Sequence, residues 1–214
     1  MLHKAEEWTL IRYAPKLKLM KEYGRSLRLD DEAEKKLLVG AAACNWRKRS
    51  LQLFQDIIIL MRDTGMRNER ELYPMRIENL DWEGRVIFVP DSKTEEGRRR
   101  VPMSNRAFDI LNARSGTKRE GWVFPSKRAE SAHLTTMAKR FREARRKAGL
   151  PEDLVLYCGR HDFGTRILKR TGNLAAVMRT MGHRDVKTAM QYQHPELEIV
   201  RAALDQDTTV EKRA

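Results

Sequence analysis

The spacing of apolar residues changes period twice along this chain of 214 residues, and that limits the folds open to it. Leu37, Leu38, Ala41 and Ala42 recur at helical spacing behind Asp30, a residue suited to cap a helix, with Asp31 and Glu32 at the helix's positive end. A second helix is predicted from Ser50 to Arg62, where Leu51, Phe54, Ile57, Ile58 and Met61 form a stripe broad enough for a core. Asp63-Thr64-Gly65 ends it, with Gly65 as the left-handed stop. The period then shortens. Arg85-Val86-Ile87-Phe88-Val89-Pro90 reads as a strand, Arg99-Arg100-Val101-Pro102-Met103 as its partner, and Leu80-Asp81-Trp82 as the first of three short antiparallel strands. Helical spacing returns over 105–113, 131–148 and in a succession from Tyr157 to about Asp205. The expected fold is mainly α with a small antiparallel β-sheet, an α+β arrangement.

Forty-three Lys and Arg stand against thirty Asp and Glu, a formal net charge of +13. That excess points to a polyanionic partner, nucleic acid or an anionic membrane surface. No apolar run approaches the roughly 18 residues that a spanning helix needs, and the opening residues lack the apolar centre of a signal peptide. A soluble, cytoplasmic protein with no membrane partner is therefore expected. Cys44 and Cys158 have no metal-ligand spacing and read as free thiols, Cys158 as a small space-filling residue. Lys139, Arg140, Arg142, Arg145, Arg146 and Lys147 crowd the end of the 131–148 helix and cover more than one face. They fit a solvated surface or a polyanion backbone equally well.

Six basic, phenolic or imidazole residues carry the chemistry: Arg67, Lys93, Tyr157, Arg160, His183 and Tyr192. Alone, each has an ordinary reading. Arginines usually sit at the surface, a lysine on a hairpin tip is usually solvated, and a helical tyrosine is usually half-buried packing. Their segments are more specific: Thr64-Gly65-Met66-Arg67, Ser92-Lys93-Thr94, Tyr157-Cys158-Gly159-Arg160-His161, and Gly182-His183 with Tyr192 nine residues on. In this order and spacing the set resembles the catalytic domain of the tyrosine recombinases, the phage integrase family, over about residues 28–205.

The resemblance implies site-specific DNA recombination, integration or excision, through a 3′-phosphotyrosyl intermediate. It implies the integrase catalytic-domain fold, no metal or other cofactor, and double-stranded DNA as partner. It further implies a homo-oligomer assembled on DNA as a tetrameric synapse, leaves accessory DNA-bending proteins open, and suggests a bacterial or phage-type protein found with the nucleoid when on DNA. Arg67 and Arg160 would clamp one phosphate, His183 would add a hydrogen bond, Tyr192 would attack, and Lys93 would protonate the departing 5′ oxygen. Two departures stand out. The acid that follows the first arginine by three residues in the family is replaced here by Arg70, leaving Glu71 as the candidate support for Arg67. Tyr157 replaces the first imidazole of His-x-x-Arg-His, and a phenol, with an ordinary pKa of about 10, is a poor general base. It can still hydrogen-bond a phosphate oxygen or the nucleophile. His161, Phe163 and Thr165 read as supporting and core residues.

The expected layout is a basic arm or linker over 1–27, the catalytic domain over 28–195, and a C-terminal helix and tail over 196–214 that docks locally or in trans. The arm is too short for the family's separate core-binding domain. Two alternatives stay open: a type IB topoisomerase that relaxes DNA, and a catalytically inactive DNA-binding relative.

Overall fold

The computed structural model describes residues 7–9, 27–90, 98–183, 185–190 and 192. Lys93, the tail over 196–214 and most of the 1–27 arm lie outside them. Helices α1 (Asp31–Ala42) and α2 (Lys48–Thr64) come first, followed by a π-helical turn (Asn68–Leu72) and the strands β1 (Leu80–Asp81), β2 (Val86–Val89) and β3 (Arg99–Pro102). Five helices follow: α3 (Asn105–Ser115), α4 (Ala138–Lys147), α5 (Cys158–Thr171), α6 (Leu174–Met181) and α7 (Val186–Met190). The mainly helical fold with one antiparallel sheet is the one the sequence predicts.

Local chemistry accounts for the boundaries. The Asp30 carboxylate accepts the Ala33 N–H at 2.9 Å and starts α1. Gly65, at φ 61°, ends α2, and a Cβ there would run into the Phe163 ring, so the stop also seats α2 against α5. In the sheet, Ile87 faces Leu80 and Val101, and Val89 faces Arg99. Alternation along β3 buries Arg99 and Val101 on one face and leaves Arg100 outside.

The helix predicted over 131–148 begins only at Ala138. Upstream, Leu134 N–H donates to the Phe124 carbonyl, Ser126 N–H donates to the Ala132 carbonyl, and His133 bridges Pro125. Thr136 Oγ1 accepts the Ala138 N–H at 3.2 Å. Backbone pairing and a threonine side chain thus take the groups that a helix would have used.

The main core joins α1, α2, the sheet, α3 and α4 through residues such as Leu37, Phe54, Ile57, Ile87, Leu111 and Phe141. Gly40 lets α1 lie against α4: a Cβ there would stand 2.5 Å from the Ala144 carbonyl oxygen. A smaller core of Phe163, Leu168, Val177, Met181 and Tyr192 holds α5, α6 and the residue beyond α7. Arg62 ties the helices together from inside. Its buried guanidinium reaches Asp31 at 2.8 Å, Asp162 at 2.9 Å and Glu34, while Arg106 joins Glu34 at 2.6 Å to Asp63 at 2.7 Å. Arg62→Ala would strip two buried carboxylates, Glu34 and Asp162, of their shared cation. We predict a loss of about 3–5 kcal/mol, read as a lower denaturant midpoint at unchanged slope.

Candidate active site

Three arginines meet the C-terminal end of α6. Arg99 Nε donates to the Thr180 carbonyl at 2.6 Å, Arg160 Nη2 to the Met181 carbonyl at 2.6 Å, and Arg67 Nη2 to the Gly182 carbonyl at 3.4 Å. The last carbonyls of a helix have no partner within it and carry its negative end, so cations gather there readily. Gly182 turns the chain at φ 68° immediately before His183, and a Cβ there would stand 3.1 Å from Arg99 Nη1.

Arg67 follows Gly65 in extended conformation and opens the π-helical turn. Its carbonyl accepts from Glu71 N–H at 2.9 Å and from Leu72 N–H at 3.0 Å. A π turn accommodates one extra residue, which brings Glu71 back to Arg67 and leaves Arg70 exposed. The Glu71 carboxylate accepts from Arg67 Nη1 at 2.6 Å and from the Arg67 backbone N–H at 2.7 Å. The candidate support for Arg67 is therefore in place, one residue later than the family's spacing. Glu71 also takes both terminal nitrogens of Arg99, at 2.7 and 3.1 Å. Burial alone would raise the Glu71 pKa, but the Arg99 hydrogen bonds and charge, with help from Arg67, bring it down to about 2.

Arg160, in the first turn of α5, is fully buried. Its Nη1 donates to the Gly65 carbonyl and its Nη2 lies 2.9 Å from His183 Nε2. Burial and the like charge of Arg67 pull its pKa down from the usual guanidinium value. A guanidinium only donates, so His183 Nε2 accepts and the imidazole proton sits on Nδ1. Burial, reinforced by Arg160, Arg67 and Arg99, lowers the His183 pKa to about 4, leaving the ring neutral at physiological pH. Among the described residues, Arg160 Nε and His183 Nδ1 are buried without a hydrogen-bond partner. Among the described residues, Arg67 and Arg99 thus share the Glu71 carboxylate, while Arg160 is held by backbone carbonyls and His183.

The aromatic residues form a ladder. Tyr192, just past α7 and only 4% exposed, stacks on His183 with centroids 5.7 Å apart and planes 16° apart. Its ring lies against Gly164, where a Cβ would come within 2.8 Å. His161 lies 6.0 Å from the Tyr192 ring and meets Tyr157 edge-on at 5.3 Å. Tyr157, at the N-terminus of α5, is 41% exposed and borders a basin of about 600 Å³ shared with Arg67, Arg70, Phe141 and Arg142.

Five of the six candidates therefore converge on one locus: Arg67, Arg160, His183 and Tyr192 directly, and Tyr157 through His161. The sixth, Lys93, falls outside the described residues. Sequence reading missed Arg99, which looks like part of a basic run. Strand alternation was the available signal, since Arg99 shares the face of Val101. Among the described residues no group of three or more His, Cys, Asp and Glu side chains is placed to hold a metal, and no helix is long and apolar enough to cross a membrane.

The Glu71 pKa is depressed on folding, so its stabilising effect is complete above the unfolded value and disappears as the pH falls through about 2. From an ordinary carboxyl value of 4.5, Glu71→Gln should cost about 3 kcal/mol at neutral pH. In denaturation across pH, the gap between wild type and variant should narrow progressively below about pH 4.5.

The phage integrase family profile matches residues 28–198. Tyrosine recombinase XerA of Saccharolobus solfataricus is 30% identical over 145 residues, covering 68% of this chain and 47% of that protein. Tyrosine recombinase XerC of Escherichia coli is 28% identical over 153 residues, covering 68% and 50%. The chain spans about half the length of these relatives. Its fold is shared with the Tn1549 transposon integrase solved with a circular intermediate DNA, at TM-score 0.73 and 20% identity over 95% of this chain and 74% of that one. It is also shared with the XerH site-specific recombinase solved on its difH substrate, at TM-score 0.63 and 20% identity over 89% and 56%. Nearly the whole described fold, from α1 to Tyr192, falls within the profile match, and the chain belongs to the phage integrase family.

Proposed function

We propose that this chain is the catalytic part of a site-specific tyrosine recombinase that cuts and rejoins double-stranded DNA through a 3′-phosphotyrosyl link. The observation that carries this reading is a cluster of three arginines beside a tyrosine: Arg67 and Arg99 share the Glu71 carboxylate, Arg160 lies against His183, and Tyr192 stacks on that imidazole. A phosphodiester is the anion that such a group suits.

In the proposed reaction Arg67 and Arg160 hold the non-bridging oxygens of the scissile phosphate, and Glu71 keeps the Arg67 fork aimed. His183, neutral with its proton on Nδ1, donates a further hydrogen bond as charge builds on those oxygens. The Tyr192 phenol oxygen bonds to phosphorus while the bond to the 5′ oxygen breaks, and Lys93 supplies that oxygen with a proton. The bond energy is kept in the phosphotyrosyl link, so a 5′ hydroxyl from another strand can reverse the step and complete an exchange. Tyr157 hydrogen-bonds the phosphate or the nucleophile. The functional assembly is a homo-oligomer paired across two duplexes, with the residues beyond 195 contributing to contacts between subunits. The net charge of +13 favours DNA over any neutral partner.

Covalent trapping tests the reading. Tyr192→Phe should abolish the denaturant-resistant DNA adduct and leave DNA binding nearly unchanged. Arg67→Lys or Arg160→Lys should lose about 10²-fold or more in cleavage, because an ammonium cannot reproduce a two-pronged donor. An adduct formed by the Phe variant would sink the assignment. Relaxation of supercoiled DNA without strand exchange would instead identify a topoisomerase, and binding without any adduct an inactive relative.

A further inference from the structure

Tyrosine attack on phosphorus leaves one atom unassigned, the phenolic proton of Tyr192. Two imidazoles flank the Tyr192 ring, His183 and His161. His183 cannot serve as acceptor, because its Nε2 lone pair already takes a hydrogen bond from Arg160 and its Nδ1 carries the proton. Three nearby guanidiniums also oppose a second proton on that ring, in keeping with its pKa of about 4. Tyr157 carries a phenol, a poor acceptor at neutral pH, and its ring lies beyond His161. His161 differs from both. It occupies the first turn of α5, one turn past Tyr157 and directly after Arg160. Arg160 points inward to the Gly65 and Met181 carbonyls, whereas the His161 ring neighbours both Tyr192 and Tyr157.

Resting on the recombinase reading, we propose that His161 accepts the proton of Tyr192 during cleavage and returns it during rejoining. As the Tyr192 oxygen bonds to phosphorus, its proton moves to a His161 ring nitrogen, and the departing 5′ oxygen takes a separate proton from Lys93. When a 5′ hydroxyl attacks the phosphotyrosyl link, the Tyr192 oxygen leaves and recovers the proton from His161. Tyr157, packed edge-on against His161 and exposed on its far side, fixes the ring and gives the imidazolium a route to solvent. The ladder thus runs from a buried nucleophile through an imidazole to the surface. This places the acceptor four residues after the phenol, on the same face of α5, where that phenol replaces the family's first imidazole.

Among the described residues, His161 faces Tyr157 at the head of its own helix, Tyr192 beyond α7 and His183 in the turn after α6, with Arg160 adjacent in sequence. A neutral imidazole is the acceptor, so the cleavage rate should rise with pH as His161 loses its proton and then level off. The probe is a set of nicked duplexes, enriched from a randomised pool for covalent capture by the wild-type chain, on which adduct formation is timed across pH. His161→Gln should bind these duplexes normally, cleave about 10²-fold or more slowly, and lose the acidic limb of the profile. His161→Ala should recover part of its rate with added imidazole, a rescue that a packing role would not give. Tyr157→Phe should keep the limb. Should the Gln variant fold poorly, His161→Asn reports the same limb. Near wild-type cleavage by the Gln or Asn variant, or loss of the limb in Tyr157→Phe alone, would overturn the proposal. Failure of the wild-type chain to form any adduct would instead remove the recombinase reading, and the proposal with it.

Discussion

The end of α6 is where the separate parts of this site are joined. Three successive carbonyls, of Thr180, Met181 and Gly182, receive one arginine each, from β3, from α5 and from the segment after α2. Those elements are far apart in sequence, and these hydrogen bonds bring their arginines to one helix end. Arginine suits the task because its planar fork can hold a carbonyl with one nitrogen and still present others to a second partner. Arg160 does so with Met181, Gly65 and His183, and Arg99 with Thr180 and Glu71. The same contacts position His183, which leaves the helix through the left-handed turn at Gly182 and presents Nε2 to Arg160.

Charge separates the arginines that hold the fold from those that form the site. Arg62 is as deeply buried as any of them, but Asp31, Glu34 and Asp162 surround it, and Arg106 and Arg166 share the load on those acids. Its neighbourhood is balanced without a ligand. Around α6 the described residues pair Arg67 and Arg99 with Glu71, His183 is neutral, and buried donors on Arg160 and His183 have no partner among those residues. Burying charge with few acids beside it costs stability, and a bound anion would offset that cost. Under the proposed function, the arginines around α6 are the ones that take the phosphate.

Much of this was legible in the sequence, for reasons that differ between residues. The stripe of Phe54, Ile57, Ile58 and Met61, the Gly65 stop and the run from Val86 to Val89 announce themselves by period and turn chemistry, which are local properties. The spacing of Gly182, His183 and Tyr192 is local too. What escaped depends on pairing over long range. Arg99 is hidden in a basic run, and only the register of β3 against β2 turns it inward. Glu71 is a candidate support for Arg67 in the sequence, but the extra residue absorbed as a π turn that delivers it is one no propensity predicts. The start of α4 moved to Ala138 because residues 124–126 pair with 132–134 and remove the first turns of the predicted helix. His161 reads in the sequence as a supporting helix residue, whereas in the fold two tyrosine rings neighbour its imidazole.

The placement of Tyr192 follows from how little core supports it. α7 is five residues long, too short to hold itself together, and its last turn is fixed by the small cluster to which Tyr192 itself belongs. Within that cluster Phe163 closes over Gly65, just two residues before Arg67, and Gly164 gives up a side chain so that the Tyr192 ring can lie against α5. The candidate nucleophile is therefore also a packing residue, and its position is coupled through one aromatic contact to the segment that carries the first arginine. A change that loosens Phe163 would reach both partners of the proposed reaction at once, whereas one in the larger core around Phe54 would reach them only through the helices. A nucleophile held in a small separate core is ordered enough to be aimed.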